Sequence, residues 1–244
     1  MSKIKIIHLS DTHGYHRDIR LKILLEEQIS TRYTKPEVIC HSGDFSSAER
    51  TKGHDYDDFL NWFSELDIAN KVLVCGNHEV LVEKDLDKFD NRCRELGITH
   101  LYHSSANIEG FNFYGSPQTP EFYNWAFNVP RNDIMWHIPL DTDVLITHGP
   151  PFGIGDRCGA FKSDIVGDFK LLQEIEFVLK NGKRKSTIFT HQFGHIHSDK
   201  GIFRADEVLP YYKGINASYV NEAYNGEDTF ELYTSIIENF NGDY

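Results

Sequence analysis

Positive charge is scarce in this sequence of 244 residues. Against 37 Asp and Glu residues stand only 25 Lys and Arg residues, which gives a formal net charge of −12 at pH 7. A protein that binds long nucleic acids needs a basic surface along the polyanion, so the composition argues against that class. A small anionic substrate stays compatible with it, because a bound metal ion can locally reverse the sign of the charge.

Cysteines and long apolar runs are also few. The four cysteines form no CxxC pair, which favours buried thiols over a disulfide framework or a zinc knot. No apolar run approaches the length that crosses a bilayer, so we expect no membrane partner. The opening stretch MSKIKIIHLSDTH is a predicted strand almost from the first residue, and we therefore expect no signal peptide and a cytoplasmic protein.

Apolar runs alternate with helical patterns in the first hundred residues. KIIHLSD, EVICHSGD and KVLVCGNH are predicted strands, whereas DIRLKILLEEQIS, DDFLNWFSEL and DLDKFDNRCREL are predicted helices. This alternation is typical of the α/β class. After Gly97, the short strands THLYH, FNFYGS and TDVLITHGPP predict a second sheet, and another helix is predicted to begin at Asp168. Without a repeat or a linker, we interpret residues 1–244 as a single domain.

Polar residues of the same kinds follow five of the predicted strands. The five segments are Asp11-Thr12-His13, Gly43-Asp44, Gly76-Asn77-His78-Glu79, His148-Gly149 and Gly194-His195-Ile196-His197. In open α/β sheets, sites assemble at the carboxyl ends of the strands, so these side chains are expected to meet. Each segment alone is a weak signal, but five in order predict one reaction centre.

The residue types suit a pair of divalent cations. Two ions about 3.5–4 Å apart can clamp a phosphate, and one carboxylate can bridge them because it has two oxygens and offsets their repulsion. The candidate ligands are Asp11, His13, Asp44, Asn77, His148, His195 and His197. Oxygen and imidazole donors without a thiolate favour Mn, with Fe, Zn, Ni or Mg as alternatives.

These motifs resemble those of the calcineurin-like metallophosphoesterases, which read D-x-H, GD, GNH(D/E), a later H and GHxH. The likeness is closest to the class III (MPPED-type) metallophosphodiesterases and covers most of the chain, including HLSDTH, VICHSGDFS, VLVCGNHE, YGSPQTPEFYNWAFNVPR, VLITHGPP, FGHIH and INAS. It implies a four-layer α/β/β/α sandwich of two mixed sheets, with the site at the C-terminal ends of the strands.

The resemblance also implies individual roles. The implied metal ligands are Asp11, His13 and His197 for the first ion, Asn77, His148 and His195 for the second, and Asp44 as the bridge. His78 is implied to be catalytic, pointing away from the metals toward the leaving oxygen. Glu79 is expected to support the loop through hydrogen bonds, and Gly76 to permit its turn.

One stretch departs from the protein-phosphatase branch of that family. There the second motif reads GDxxDRG, and its later Asp orients the catalytic histidine while its Arg binds phosphate. This chain has GDFSSAER, with Ser47 and Ala48 at those positions and Arg50 out of register. The departure argues against a phosphoprotein phosphatase and predicts that His78 lacks a carboxylate partner.

Two loops have alternative interpretations. The loop with Phe122, Tyr123, Trp125 and Phe127 is more simply a satellite apolar cluster, but it could instead be a pocket wall on which a base stacks. The Gly-rich loop after His148 could close over the site or be flexible. His191 is predicted to be a hydrogen-bonded core residue rather than a ligand.

These features predict a dinuclear-metal phosphodiesterase. A hydroxide between the ions would attack phosphorus while His78 assists the leaving alkoxide. The expected substrates are small diesters such as cyclic nucleotides or nucleotide esters. A phosphomonoesterase, a short-strand nuclease and a metal-dependent nucleotide-binding module without turnover are the alternatives, and the sequence predicts no oligomeric state.

Overall fold

Strands and helices alternate along the first hundred residues, and strands dominate afterwards. The computed structural model describes residues 2–46, 56–205, 209–226 and 230–239. The helices are α1 (Ile19–Ile29), α2 (Tyr56–Glu65), α3 (Val80–Lys84), α4 (Leu86–Glu95) and α5 (Phe169–Asn181). The strands are β1 (Lys3–Leu9), β2 (Val38–His41), β3 (Asn70–Leu73), β4 (Ile98–His100), β5 (Ser104–Ile108), β6 (Phe111–Ser116), β7 (Thr119–Pro120), β8 (Asn128–Val129), β9 (Val144–Thr147), β10 (Arg157–Cys158), β11 (Asp164–Ile165), β12 (Phe189–Phe193), β13 (Gly201–Phe203), β14 (Tyr212–Asn216) and β15 (Tyr233–Glu238).

The first sheet has the strand order β15-β1-β2-β3-β4. β1 to β4 are parallel, and β15 pairs antiparallel with β1. The assignment of THLYH to the second sheet was wrong, because its strand β4 lies beside β3, with Ile98 opposite Lys71. The helix α4 makes the crossover that brings β4 back parallel to β3.

The second sheet has the order β13-β14-β12-β9-β6-β5. Its four central strands are parallel, and the two outer strands pair antiparallel. Both sheets are therefore mixed, and their parallel strands place several carboxyl ends along one edge.

Alternating side chains of β1 explain how the sheets and helices form layers. Ile4 and Ile6 belong to the apolar core between the two sheets, whereas Ile7 and Leu9 belong to a core on the opposite face, under α1, α2 and α4. A third core packs α5 on the outer face of the second sheet. This arrangement confirms the expected four-layer α/β/β/α sandwich. Among the described helices, none has the length and apolar character required to span a bilayer.

Candidate metal centre

The five polar segments meet at one rim of the sandwich. Asp11 and His13 follow β1, Asp44 follows β2, and Asn77 follows β3 in the first sheet. His148 follows β9, and His195 and His197 follow β12, in the second sheet. Their ligand atoms form three overlapping groups, and the atoms inside each group lie within 4.8 Å of one another. The groups are Asp11, His13 and His197; His13, Asp44 and His78; and Asp44, His148 and His195.

Four of these residues have an unusual backbone conformation. Asp11, His13, Asp44 and His195 have φ angles of 49°, 42°, 55° and 68°. Residues other than glycine rarely adopt this left-handed conformation, and each such residue costs roughly 1–2 kcal/mol. This conformation bends the backbone at the ends of the strands and directs the side chains into a common space.

Asp11 lies among donors from both sheets. Its carboxylate accepts hydrogen bonds from the His195 amide at 3.0 and 3.1 Å and from the Ser218 hydroxyl at 3.0 Å. His197 Nε2 lies 3.1 Å from Asp11 Oδ1 and 3.4 Å from His13 Nε2. Burial raises the pKa of Asp11, but the hydrogen bond and charge of His197, together with the charge of His148, outweigh burial and hold this pKa well below its usual range. Asp11 is therefore a carboxylate at neutral pH.

Asp44 lies between the two sides of the cluster. Its Oδ2 is 3.7 Å from His13 Nε2 and 3.3 Å from His148 Nε2. Asn77 Oδ1 is 2.9 Å from the same His148 nitrogen. Burial opposes ionisation of Asp44, but the charges of His148 and the neighbouring histidines together outweigh it and lower the pKa of the carboxyl well below its usual value.

Backbone carbonyls determine which ring nitrogen of three histidines carries a proton. Nδ1 of His13, His148 and His197 lies 3.2, 2.9 and 3.1 Å from the carbonyl oxygens of Ser46, Ser42 and Asn221. A carbonyl can only accept, so each Nδ1 carries a hydrogen, and Nε2 is the nitrogen that faces the cluster.

The cluster therefore concentrates possible metal ligands in one buried space. Imidazole nitrogens, carboxylate oxygens and an amide oxygen converge at 2.9–3.7 Å, and the two buried carboxylates need a positive charge beside them. Burial lowers the pKa of His148, but the charge and hydrogen bond of Asp44 oppose burial and help to raise this pKa to about 9. Oxygen and imidazole donors of this kind fit divalent cations.

Glu79 holds the loops after β2 and β3 together, as predicted. One carboxylate oxygen accepts from the amides of Asp44 at 2.8 Å and Gly76 at 2.6 Å, and the other accepts from the amide of Ser46 at 2.9 Å. The side chain is almost completely buried, and burial together with the nearby Asp44 raises its pKa to about 7.

His78 borders the cluster rather than pointing away from it, which corrects the expected orientation. Its Nε2 lies 3.9 Å from Asp44 Oδ2. The ring stacks on Trp125, with 4.3 Å between centroids and 27° between planes, and its edge meets the His13 ring at 4.6 Å. Within the described residues, its buried Nδ1 has no hydrogen-bond partner. Ser47, at the motif position that would supply one, lies outside the described residues, as do Ala48 and Arg50.

Comparison with known proteins decides the family. The family model of the calcineurin-like phosphoesterases matches residues 4–202. The chain belongs to the calcineurin-like phosphoesterase family.

Curated relatives and a solved structure agree with this membership. The metallophosphoesterase domain-containing protein 1 of Homo sapiens and that of Mus musculus are each 32% identical over 207 residues, which cover 75% of this chain and 59% of the relative. The chain thus spans 59% of the length of these relatives. The crystal structure of TT1561 from Thermus thermophilus shares the fold, with a TM-score of 0.57 at 13% identity over 95% of this chain and 98% of that chain.

Residues outside the phosphoesterase motifs support the cluster, and sequence reasoning assigned them no role. The Ser218 hydroxyl donates to Asp11, and Asn216 donates to the carbonyls of Gly155 at 3.2 Å and Ile196 at 2.8 Å. Asn216 also accepts from the Ser218 hydroxyl at 2.8 Å. Both residues belong to the stretch INAS, whose paired polar side chains at the end of a buried strand were the available signal.

A cleft of about 490 Å³ opens at the rim, and Asp44, Asn77, His78, His195 and His197 line its end. Trp125 and Phe122 form part of its wall, so for them the favoured interpretation as a satellite apolar cluster was wrong. Phe127 is 6% exposed and packs in the main core under the first sheet, not in a satellite cluster.

The Gly-rich loop after His148 supplies the opposite wall of the cleft. Gly149, Pro150, Cys158 and Gly167 line the cavity, so the loop borders the site. Arg131 joins the two walls, because its guanidinium donates to the carbonyls of Val166 at 2.8 Å and Gly167 at 3.2 Å.

Tyr224 is a further cleft residue that the sequence did not reveal. Its ring lies edge-on to His13 at 4.9 Å and to His197 at 5.2 Å. It lies eight residues after the end of β14, and no sequence motif surrounds it. Tyr224 therefore shields the cluster on the side of Asn221.

Two other histidines near the rim are structural. His191 is fully buried and lies 2.8 Å from the Thr147 hydroxyl and 2.9 Å from the Tyr212 hydroxyl, which confirms its assignment to the core. His16 contacts Asp58 at 2.8 Å and packs beside Phe59 of α2. Neither ring belongs to the ligand cluster.

Proposed function

We propose that this protein hydrolyses small phosphodiesters with two divalent cations. The observation that supports the proposal most is the buried cluster of possible ligand atoms at the end of an aromatic cleft. The proposed ligands are Asp11, His13 and His197 for one ion, Asn77, His148 and His195 for the other, and Asp44 for both. Mn is the first candidate, with Fe, Zn, Ni or Mg as alternatives.

Bound cations would supply Lewis acidity toward the phosphate oxygens and acidify a coordinated water. The side chains of the protein would then bind and orient the substrate and protonate its leaving group. His78 Nε2 lies where the cluster meets the cleft, 3.9 Å from Asp44 Oδ2, and would donate a proton to the leaving alkoxide. Trp125 and Phe122 offer aromatic faces for a nucleobase or another planar ester group.

The charges of the cleft favour a small diester. Its lining includes the acidic Glu121 and Glu222, whereas the guanidinium of Arg131 is already engaged with two carbonyls. A diester carries less negative charge than a monoester dianion and so needs less positive charge beyond the two ions. A net charge of −12 also opposes the approach of a long polyanion.

The test is a side-by-side measurement of kcat/KM on five substrates with the Mn-loaded protein. They are a cyclic nucleotide, a nucleoside monophosphate, a phosphopeptide, single-stranded DNA and double-stranded DNA. We expect the cyclic nucleotide to be the best substrate. Faster turnover of the monophosphate or single-stranded DNA would replace the proposal by a monoesterase or a nuclease, and binding without any turnover would make the protein a nucleotide-binding module.

A further inference from the structure

Trp125 stacks on the face of the His78 ring. A histidine that donates a proton must keep Nε2 aimed at the leaving group, and a hydrogen bond to Nδ1 normally fixes the ring. Within the described residues no such bond reaches Nδ1 of His78. The ring has instead a stacked contact with Trp125 at 4.3 Å and an edge contact with His13 at 4.6 Å.

The segment that carries Trp125 is anchored to the site itself. The amide of Ala126 donates to the carbonyl of Asn77 at 3.1 Å, so the segment is tied to the residue that precedes His78. The amide of Phe127 donates to Glu83 at 2.7 Å, and its ring packs in the core. Asn128 Oδ1 accepts from the Trp125 amide at 3.2 Å. The backbone of Trp125 and of the two residues after it is thus held in place.

We propose that Trp125 is a positioning residue, which fixes the ring of His78 by stacking on its face. This inference rests on the proposed function of His78 as the acid. Stacked aromatic rings attract each other beyond the effect of the area that they bury, so this contact favours one plane of the His78 ring. Trp125 acts through His78, and its outer face is left toward the cleft.

The kinetic test is a double-mutant cycle with Trp125→Ala, His78→Ala and the double variant. Misplacing a reacting group by about 1 Å can cost roughly 10²-fold in rate. We expect Trp125→Ala to lower kcat by about that factor on diesters with a poor leaving group, with a much smaller effect on nitrophenyl esters. In the His78→Ala background the same substitution should cost little, because the residue on which it acts is gone.

Two further variants separate positioning from general damage to the loop. Trp125→Phe retains a stacking ring and should restore most of kcat. Tyr123→Ala removes a 77% exposed ring from the same loop and should keep the wild-type kcat. Losses that multiply in the double variant, or a Trp125→Phe protein as slow as Trp125→Ala, would overturn the proposal.

A spectroscopic arm tests the inference independently of turnover. In the zinc-loaded protein, which is diamagnetic, the ring protons of His78 and His13 should show a nuclear Overhauser effect because their centroids lie 4.6 Å apart. We expect this signal in the wild type and in Trp125→Phe and its loss in Trp125→Ala. If it persists unchanged in Trp125→Ala, the positioning role is wrong, whereas a wild type without turnover would refute the proposed function alone.

Discussion

At the scale of single residues, the surroundings of the histidine rings separate three proposed ligands from the proposed acid. Nδ1 of His13, His148 and His197 donates to a backbone carbonyl, so that Nε2 is the nitrogen that faces the cluster. His78 has no such bond within the described residues, and its ring lines the cleft. This difference supports the proposed role of His78 as the acid.

The substitution His78→Ala should keep the bound metal and lose activity. We expect a loss of roughly 10²–10⁴ in kcat on diesters with a poor leaving group, because general acid catalysis contributes about that factor. Esters with a nitrophenolate leaving group should lose less, since that group departs without a proton. Equal losses on both substrates would assign His78 to phosphate binding, and loss of metal would make it a ligand.

At the scale of elements, the loops after β2 and β3 touch at two glycines. Gly43 has a φ of +105°, and a Cβ there would lie 2.7 Å from Gly76 Cα and from His148 Nδ1. Gly76 does not have a positive φ, so it does not serve to permit a turn, as the sequence suggested. It provides space, because a Cβ there would lie 2.6 Å from the Asp44 amide nitrogen and from His148 Cε1.

Gly76→Ala should therefore weaken metal binding. The added methyl must displace Asp44 or His148, and a disturbed support of a ligand typically costs 10–100-fold in metal affinity, so we expect a loss of about that size by isothermal titration with Mn²⁺. Gly97→Ala is the matched control: its φ of +68° makes the change strained, but a Cβ there meets no atom within 4 Å. That control should lose stability and keep its metal affinity; a Gly76→Ala protein that binds Mn²⁺ like the wild type would contradict the argument.

The sequence predicted the elements in which apolar residues recur at a regular spacing. Apolar residues at helical spacing predicted α1, α2 and α4. The predicted start of α5 at Asp168 is confirmed, because the Asp168 side chain accepts from the Lys170 amide at 2.9 Å. The polar residues after five strands located the cluster. The helix α3 escaped prediction because five residues show no helical period. The sheet to which β4 belongs, and the side of the aromatic loop that faces the site, depend on tertiary packing, which no local pattern encodes.

At the scale of the whole molecule, a buried polar layer joins the two sheets below the rim. Gln192 of β12 donates to the carbonyls of Leu9 at 2.8 Å and Cys40 at 3.1 Å, which lie in the first sheet. His8 of β1 lies 2.7 Å from Gln192 Oε1 and 2.7 Å from the Ser235 hydroxyl of β15. These contacts fix the relative position of the strand ends that carry the ligands.

Buried neutral histidines should make stability depend on pH. Burial lowers the pKa of His191 to about 3 from 6.5, so between these values the unfolded chain binds a proton that the folded protein does not. Stability should then be complete above pH 6.5 and decrease as the pH falls toward 3. For His191 the loss at pH 5 is roughly 2 kcal/mol.

Urea unfolding of His191→Gln at pH 7 and pH 5, with metal removed, tests this expectation. The variant should lose about 2 kcal/mol less than the wild type between the two pH values. His137→Gln changes an exposed histidine and should show the wild-type difference. An identical pH response in His191→Gln and the wild type would show that this buried ring does not carry the effect.

The most direct test of the central claim counts the metal ions and follows turnover as they return. Metal-stripped protein is titrated with Mn²⁺ while the hydrolysis of bis(p-nitrophenyl) phosphate is measured, for the wild type, for Asp44→Ala and for Asp87→Ala, which changes an exposed carboxylate. We predict that the wild type and Asp87→Ala bind about two ions and regain turnover with them, as a dinuclear site requires, whereas Asp44→Ala binds neither tightly and stays inactive. Full turnover of the stripped protein, or an Asp44→Ala protein with two bound ions and a normal rate, would contradict the account.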